Sequence, residues 1–350
     1  MQVLITSLII TTIIALIWLY ISKKFNILDK PWKYADLKRK KAVPTIQGFF
    51  LILAVIVNMA VLLPGYWQFS AIKALFIWWV FLAIIALIDE YKSISPKIRL
   101  LIQTVVACIW VIGWASITHL PIIGVDLPYW LWGIFAVIWF LLLINAFNWF
   151  DWINGMAIGI STIWFLTIFL LIKFIIFPAY PNISADEQTQ LIVLQNLSII
   201  FFSVSAIYTF IESKPYGLLR DAGVMFLGYS LAYLSLLWWA KIGIISVVLS
   251  LVIFDAIWVW INRLKNWQNP MKWDFTHFHH RFMANKWTRG EIRTFVWVWS
   301  AFMMMLMILQ WSDKVGKLII FSSVAAIFFW VNIYLFWIKK IPGKIEGKKV

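Results

Sequence analysis

The chain has 350 residues, of which 63% are hydrophobic and only 13% charged, with 25 Trp, one cysteine and a formal net charge of +15. A soluble domain is nearer half apolar and a quarter charged, so the composition excludes one and identifies an integral membrane protein. The lone Cys108 excludes a disulfide framework within the chain, and the positive charge is read as a bias of cytoplasmic loops rather than as a nucleic-acid footprint.

Apolar runs predict an all-α, polytopic fold with about 11 transmembrane helices in a single domain over 1–350. They lie near 3–22, 45–65, 69–88, 98–118, 129–147, 156–177, 191–211, 222–240, 243–261, 293–311 and 317–338. Each is long enough to cross a bilayer core as a helix, and the runs are continuous rather than alternating, which excludes a closed barrel. The first run is not a cleavable signal peptide. No base precedes it, and Lys23-Lys24 follow it directly. Some Trp fall mid-span, where they act as packing volume rather than as interface anchors.

The connections alternate in charge. Of the 30 Lys and Arg, 25 fall in one alternating set of loops, about 23–44, 89–97, 148–155, 212–221 and 262–292 plus the basic tail 339–350, with Arg99 and Arg293 just beyond the loop bounds included in the count. Three, Lys241, Lys314 and Lys317, fall in the other set. This asymmetry predicts an N-terminus outside and a C-terminus in the cytoplasm, and the inner (plasma) membrane is the expected location.

The stretch Leu141 to Ile160 interrupts an apolar wall with Asn145, Asn148, Asp151 and Asn154. The first three recur every third residue, and on a helix that spacing drifts only about 60° per step, which predicts one broad polar stripe. Other polar groups fall in the same set of loops: Asp89 and Glu90 ending the third span, Asp221 before the eighth, and His277, His279, His280 and Arg281 in the long loop. Carboxylates gathered at one membrane depth repel one another unless a cation sits among them. Mg²⁺ takes a few carboxylates plus substrate phosphate oxygens, and a basic, histidine-bearing loop can hold the remaining phosphate charge. The constellation therefore reads as a metal-assisted phosphate site on the cytoplasmic face. The His spacing i, i+2, i+3 does not share one helical face, so zinc is not expected.

From about residue 26 to 310 the chain resembles the polyprenyl-phosphate N-acetylhexosamine-1-phosphate transferases (glycosyltransferase family 4), the superfamily of the phospho-N-acetylmuramoyl-pentapeptide transferase. Five ordered segments carry the resemblance: LDKPWKY…KRKKAVPTIQG, ALIDEYKSISPKIRLLIQ, NAFNWFDWINGMAIG, LLRDAGVMFLG and FDAIWVWINRLKN…DFTHFHHRF. The H-x-H-H-R form is closer to the N-acetylglucosamine-1-phosphate branch. The chain departs from the family pattern at Glu90 (Asp), Trp152 (Gly), Asn154 (Asp), Arg220 (Gly) and Val224 (Ser).

The resemblance implies Asp221 as the metal ligand, with Mg²⁺ as cofactor and Mn²⁺ as an alternative. It implies Asp89 and Glu90 by the lipid phosphate, and Asp151 and Asn154 near the nucleotide. Asp89, Glu90 and Asp151 are the expected catalytic residues. Asn145, Asn148, Asn154, His277, His279, His280 and Arg281 are the expected substrate contacts. The implied reaction moves a sugar-1-phosphate from a UDP-sugar, N-acetylglucosamine first, to polyprenyl (undecaprenyl) phosphate in the membrane with release of UMP. Another UDP-N-acetylhexosamine or the muramoyl-pentapeptide stays open as donor, as does a homodimer. A transporter with interfacial acids is the alternative of another class, and it would place its acids nearer mid-span and often show two related halves.

Overall fold

The computed structural model describes residues 2–29, 43–68, 70–92, 94–114, 119–120, 125–126, 128–214, 216–237, 242–267 and 276–334. It is helical throughout. The only strand pairing among these residues is two antiparallel pairs of two residues each, Leu28–Asp29 with Val43–Pro44 and His119–Leu120 with Val125–Asp126.

The helices are α1 (Gln2–Lys24), α2 (Gln47–Leu62), α3 (Ser70–Lys92), α4 (Pro96–Trp114) and α5 (Tyr129–Phe150). Then come α6 (Met156–Leu171), which runs through a π-helical turn at Ile172–Ile176 into the short α7 (Phe177–Ala179), α8 (Ala185–Ser213) and α9 (Arg220–Leu237). The chain continues as α10 (Ile242–Val248), α11 (Ser250–Lys265), α12 (Phe278–Ala284), α13 (Arg289–Leu309) and α14 (Lys314–Ile333). Each predicted apolar span is mostly helical over its described residues, with breaks at residues 45–46, Leu63 and Leu249. Among the described residues, six helical segments are long and apolar enough to cross a membrane, or seven with one bent pair counted as a single span.

That bent pair corrects one expectation. The span predicted at 243–261 is two helices, α10 and α11, inclined at 79° across Leu249. Leu249 leaves the helical region at φ −91°, ψ 12°, and the hydroxyl of Ser250 on the far side accepts a hydrogen bond from Trp299 Nε1 of α13 at 3.1 Å. Nothing in the apolar run VVLSLV distinguishes this break from continuous helix.

The hub of the bundle is α9, whose side chains are buried at every position from Ala222 to Leu236. It packs against α2, α3 and α5, while α6 lies along α8 and α13 covers α6. Lipid is as apolar as Leu, so helices in a bilayer associate through close packing and hydrogen bonds rather than through exclusion from water. Both devices are present. A Cβ on Gly48 would meet Gly223 N at 2.3 Å and Leu219 O at 2.7 Å, so α2 and α9 touch backbone to backbone. Mid-span Trp are more than filler: Trp79 Nε1 donates to Ser230 Oγ at 3.0 Å and Trp139 Nε1 to Ser235 Oγ at 2.7 Å, tying α3 and α5 to successive turns of α9. Asn58 Nδ2 donates to Thr11 Oγ1 at 3.1 Å between α2 and α1. The outward faces are apolar. On α1, Ile5, Ile9, Ile13, Leu16 and Tyr20 are all exposed, as a lipid-facing surface requires.

Candidate active site

One end of the bundle is polar, where α4, α6, α9, α12 and α13 begin and α3, α5, α8 and α11 end. The Asn/Asp stretch contributes first, and its geometry differs from the predicted stripe. Helix α5 stops at Phe150, so only Asn145 and Asn148 lie on it; Asp151 is its C-cap residue and Asn154 stands in the following turn. Gly155 closes that turn with φ +80°, and a Cβ there would also press on the Ser213 backbone at 3.2 Å. Left-handed backbone and close approach both call for glycine. From α13, Arg293 Nη1 donates to Asn154 O (3.1 Å) and Ser213 O (2.9 Å), and Trp297 Nε1 donates to Gly155 O (3.2 Å). The turn is thus clamped to the ends of α8 and α13.

The acids surround it. Asp221 sits in the first turn of α9, where the helix dipole favours negative charge. Its Oδ2 lies 3.3 Å from Arg99 Nη1 of α4, and its Oδ1 accepts from Asn148 Nδ2 at 3.3 Å. Asn145 Nδ2 donates to Gln103 Oε1 at 2.8 Å. Arg220, at the position where the family pattern has Gly, keeps the left-handed backbone a Gly would adopt, with φ 58°; for an L side chain that costs on the order of 1–2 kcal/mol.

Glu212, in the last turn of α8, is an acid that sequence reasoning did not single out. It is buried, and its Oε1 accepts from Leu219 N at 2.8 Å while Oε2 has no hydrogen-bond partner. Asp151 Oδ1 is likewise buried without a partner. Burial pushes the Asp151 carboxyl well above the usual carboxylate range, and the neighbouring charges of Glu212 and Asp221 push the same way. Acids within electrostatic reach of one another are relieved by a cation, and Asp151 and Asp221 are the carboxylates here that could contact one; among the described residues no group of three or more His, Cys, Asp or Glu is arranged to hold a metal ion. Asp89 and Glu90 end α3, beside the start of α4; their side chains lie outside the described residues.

The histidine segment is the short helix α12. His277 is its N-cap, so the three histidines do not all ride on helix. His277 Nδ1 lies 2.7 Å from Asp255 Oδ2, and Asp255 Oδ1 accepts from Phe278 N at 2.8 Å. Asp255, on α11, is the second buried acid that the sequence reading passed over. The rings of His277 and His279 are parallel within 6°, with centroids 5.6 Å apart. Both ring nitrogens of His279 are buried without hydrogen-bond partners. Burial pushes that imidazole well below its usual range, with His280, His277 and Arg289 adding to the effect, so His279 is held neutral.

Trp152 packs edge-on to His280 with centroids 4.4 Å apart and stacks on His279 at 6.1 Å, while Arg289 lies over its ring at 5.3 Å. The Asn/Asp turn and the histidine helix therefore form one site. Arg281 faces elsewhere. It is buried, donating to Asn332 Oδ1 of α14 and to Thr276 O, with Trp258 beneath its guanidinium. Beside it lies an apolar cavity of about 70 Å³ lined by Phe278, Phe295, Trp299 and Phe328.

The model of the family described as glycosyl transferase family 4 matches residues 71–239, which hold Asp89, the Asn/Asp turn, Glu212 and Asp221. The chain is 27% identical over 297 residues to a probable undecaprenyl-phosphate N-acetylglucosaminyl 1-phosphate transferase of Bacillus subtilis, covering 80% of this chain and 75% of the relative. It is 22% identical to an undecaprenyl-phosphate alpha-N-acetylglucosaminyl 1-phosphate transferase of Thermotoga maritima, covering 75% and 74%. A phospho-N-acetylmuramoyl-pentapeptide-transferase of Cutibacterium acnes is 24% identical, covering 75% and 82%. Over residues 71–239 the chain is similar to glycosyl transferase family 4, and the three relatives named match it over 75–80% of its length.

Proposed function

We propose that this enzyme transfers N-acetylglucosamine-1-phosphate from UDP-N-acetylglucosamine to polyprenyl phosphate at the cytoplasmic face of the inner membrane, releasing UMP. The observation that carries the reading is the cluster of Asp151, Glu212 and Asp221, in which two buried carboxylate oxygens have no hydrogen-bond partner, beside a buried histidine pair. The names of the relatives support the lipid and sugar classes. The chemistry suits such a site. An oxygen of the lipid phosphate attacks the sugar-side phosphorus of the donor, the P–O–P bridge breaks, and UMP leaves with the bridging oxygen. One phosphoanhydride is lost and one gained, so no ATP is needed, and catalysis reduces to alignment and charge neutralisation.

In this reading Asp221 and Asp151 hold Mg²⁺, which when bound offsets the charge of the diphosphate. Asn148 fixes the Asp221 carboxylate, and Arg99, paired with Asp221, offers a cation to an incoming phosphate. Asp89 and Glu90, at the end of α3, stand by the lipid phosphate. His277, His279 and His280 meet the donor, with Asn145 and Asn154 bordering the nucleotide. Arg281 acts at one remove, holding α12 through Asn332. A coupled transporter fits less well: Asp255 is an acid within a bent helix pair, yet both of its oxygens are already committed to α12.

The reading is tested by UMP release from purified protein with Mg²⁺, a short polyprenyl phosphate and, in turn, UDP-N-acetylglucosamine, another UDP-N-acetylhexosamine and the muramoyl-pentapeptide donor. UMP should appear only when lipid is present and fastest with UDP-N-acetylglucosamine. UMP formed equally without lipid, or from none of the donors, contradicts it.

A further inference from the structure

A buried carboxylate is costly and is kept only where it is partnered. Asp255 is such a group, only 1% exposed on α11. Its two oxygens both go to the start of α12, one to His277 Nδ1 at 2.7 Å and one to Phe278 N at 2.8 Å. Phe278 N is one of the orphan donors at the first turn of α12. The N-cap residue His277 provides no side-chain cap for it, so Asp255 caps the helix from another element and turns the cap's own ring towards itself. The 79° break at Leu249 sets the direction of α11. Trp149, at 6.1 Å, and the parallel ring of His279, at 5.6 Å, flank the imidazole.

We propose that Asp255 is a positioning residue, which fixes the tautomer and orientation of His277 so that Nε2 is the nitrogen presented to the donor's phosphate oxygens. With Nδ1–H donated to a carboxylate, a proton on Nε2 creates a carboxylate–imidazolium pair whose remaining N–H can donate to an oxyanion. This rests on the proposed function for the identity of the donor, but the ring's tautomer does not depend on it.

Asp255→Asn keeps the volume but offers only one acceptor oxygen to two N–H groups, and it removes the counter-charge. It should lower kcat/KM for the UDP-sugar by ~10²-fold, at the upper end for loss of a group that orients a ligand, with KM for the lipid unchanged within a few-fold. In a His277→Gln background the same change should cost nothing further, because its effect passes through the ring. Additive losses in that cycle would overturn the proposal in favour of a general folding role.

The wild type provides a second readout. In protein labelled with ¹⁵N-histidine, the resonance that disappears in His277→Gln should show a protonated, hydrogen-bonded Nδ1. A His277 ring protonated on Nε2 alone would overturn the proposal whatever the enzyme turns over, and whether or not Asp255→Asn folds. A wild type inactive with every UDP-sugar, yet showing the Nδ1–H signal, would overturn the functional reading and leave the Asp255–His277 pair standing.

Discussion

A buried carboxylate oxygen that accepts no hydrogen bond is expensive until something positive reaches it. Asp151 is in that position, with Oδ1 unpartnered and two acids within electrostatic reach. Its raised carboxyl means that the folded, metal-free protein binds this proton more tightly than the unfolded chain does. Folding stability is therefore lost as pH rises from the unfolded value, about 3.9, through the raised folded one. In buffer with chelator, Asp151→Asn should melt above the wild type at pH 8, and the gap should close as pH falls towards 4. Added Mg²⁺ should raise the wild-type midpoint and leave that of Asp151→Asn nearly unmoved. Thermal unfolding of the two proteins measures both effects; a lower midpoint for Asp151→Asn at pH 8 in chelator contradicts this account of the site.

At the scale of elements, the site is held by contacts that periodicity does not encode. Apolar runs located the helices because a bilayer demands about 20 consecutive apolar residues, and the acids at their ends were visible as breaks in those runs. Glu212 and Asp255 were less legible. One closes a helix that already read as a loop boundary, and the other lies inside a run whose 79° bend leaves no compositional trace. Arg281 was grouped with the histidines by sequence neighbourhood, whereas its partner Asn332 lies 51 residues away on α14. Arg220 shows the converse: its side chain departs from the family pattern, and its backbone takes a left-handed φ of 58° that glycine adopts freely.

The packing of α9, which carries Asp221, rests on Gly48 and Gly223. Gly48→Ala places a methyl 2.3 Å from Gly223 N, where only backbone can give way. Overpacking of this kind costs typically 1–3 kcal/mol, so Gly48→Ala should lower the thermal midpoint in detergent and shift the start of α9. Activity should fall with it, although Gly48 touches no substrate. Unchanged stability and turnover would show that α2 and α9 are not in register through this glycine.

For the molecule as a whole, a multi-pass bundle with apolar outward faces and one polar end places the chemistry where a soluble donor and a lipid phosphate can meet. The bias of 25 bases to three between alternating loops supports assigning that end to the cytoplasm. The central claim is that Asp221, with Asp151, would hold a metal ion that offsets the charge of a diphosphate. Asp221→Asn keeps size and hydrogen bonding but removes the charge a hard cation needs. Lipid-dependent UMP release, titrated with Mg²⁺ in purified wild type and Asp221→Asn, should fall by at least ~10²-fold in the variant, as for loss of one strong electrostatic group. Expression and thermal midpoint should stay close to wild type, since this half-exposed carboxylate adds little to folding. Wild-type rates of UMP release from Asp221→Asn, at any Mg²⁺ concentration, would contradict it.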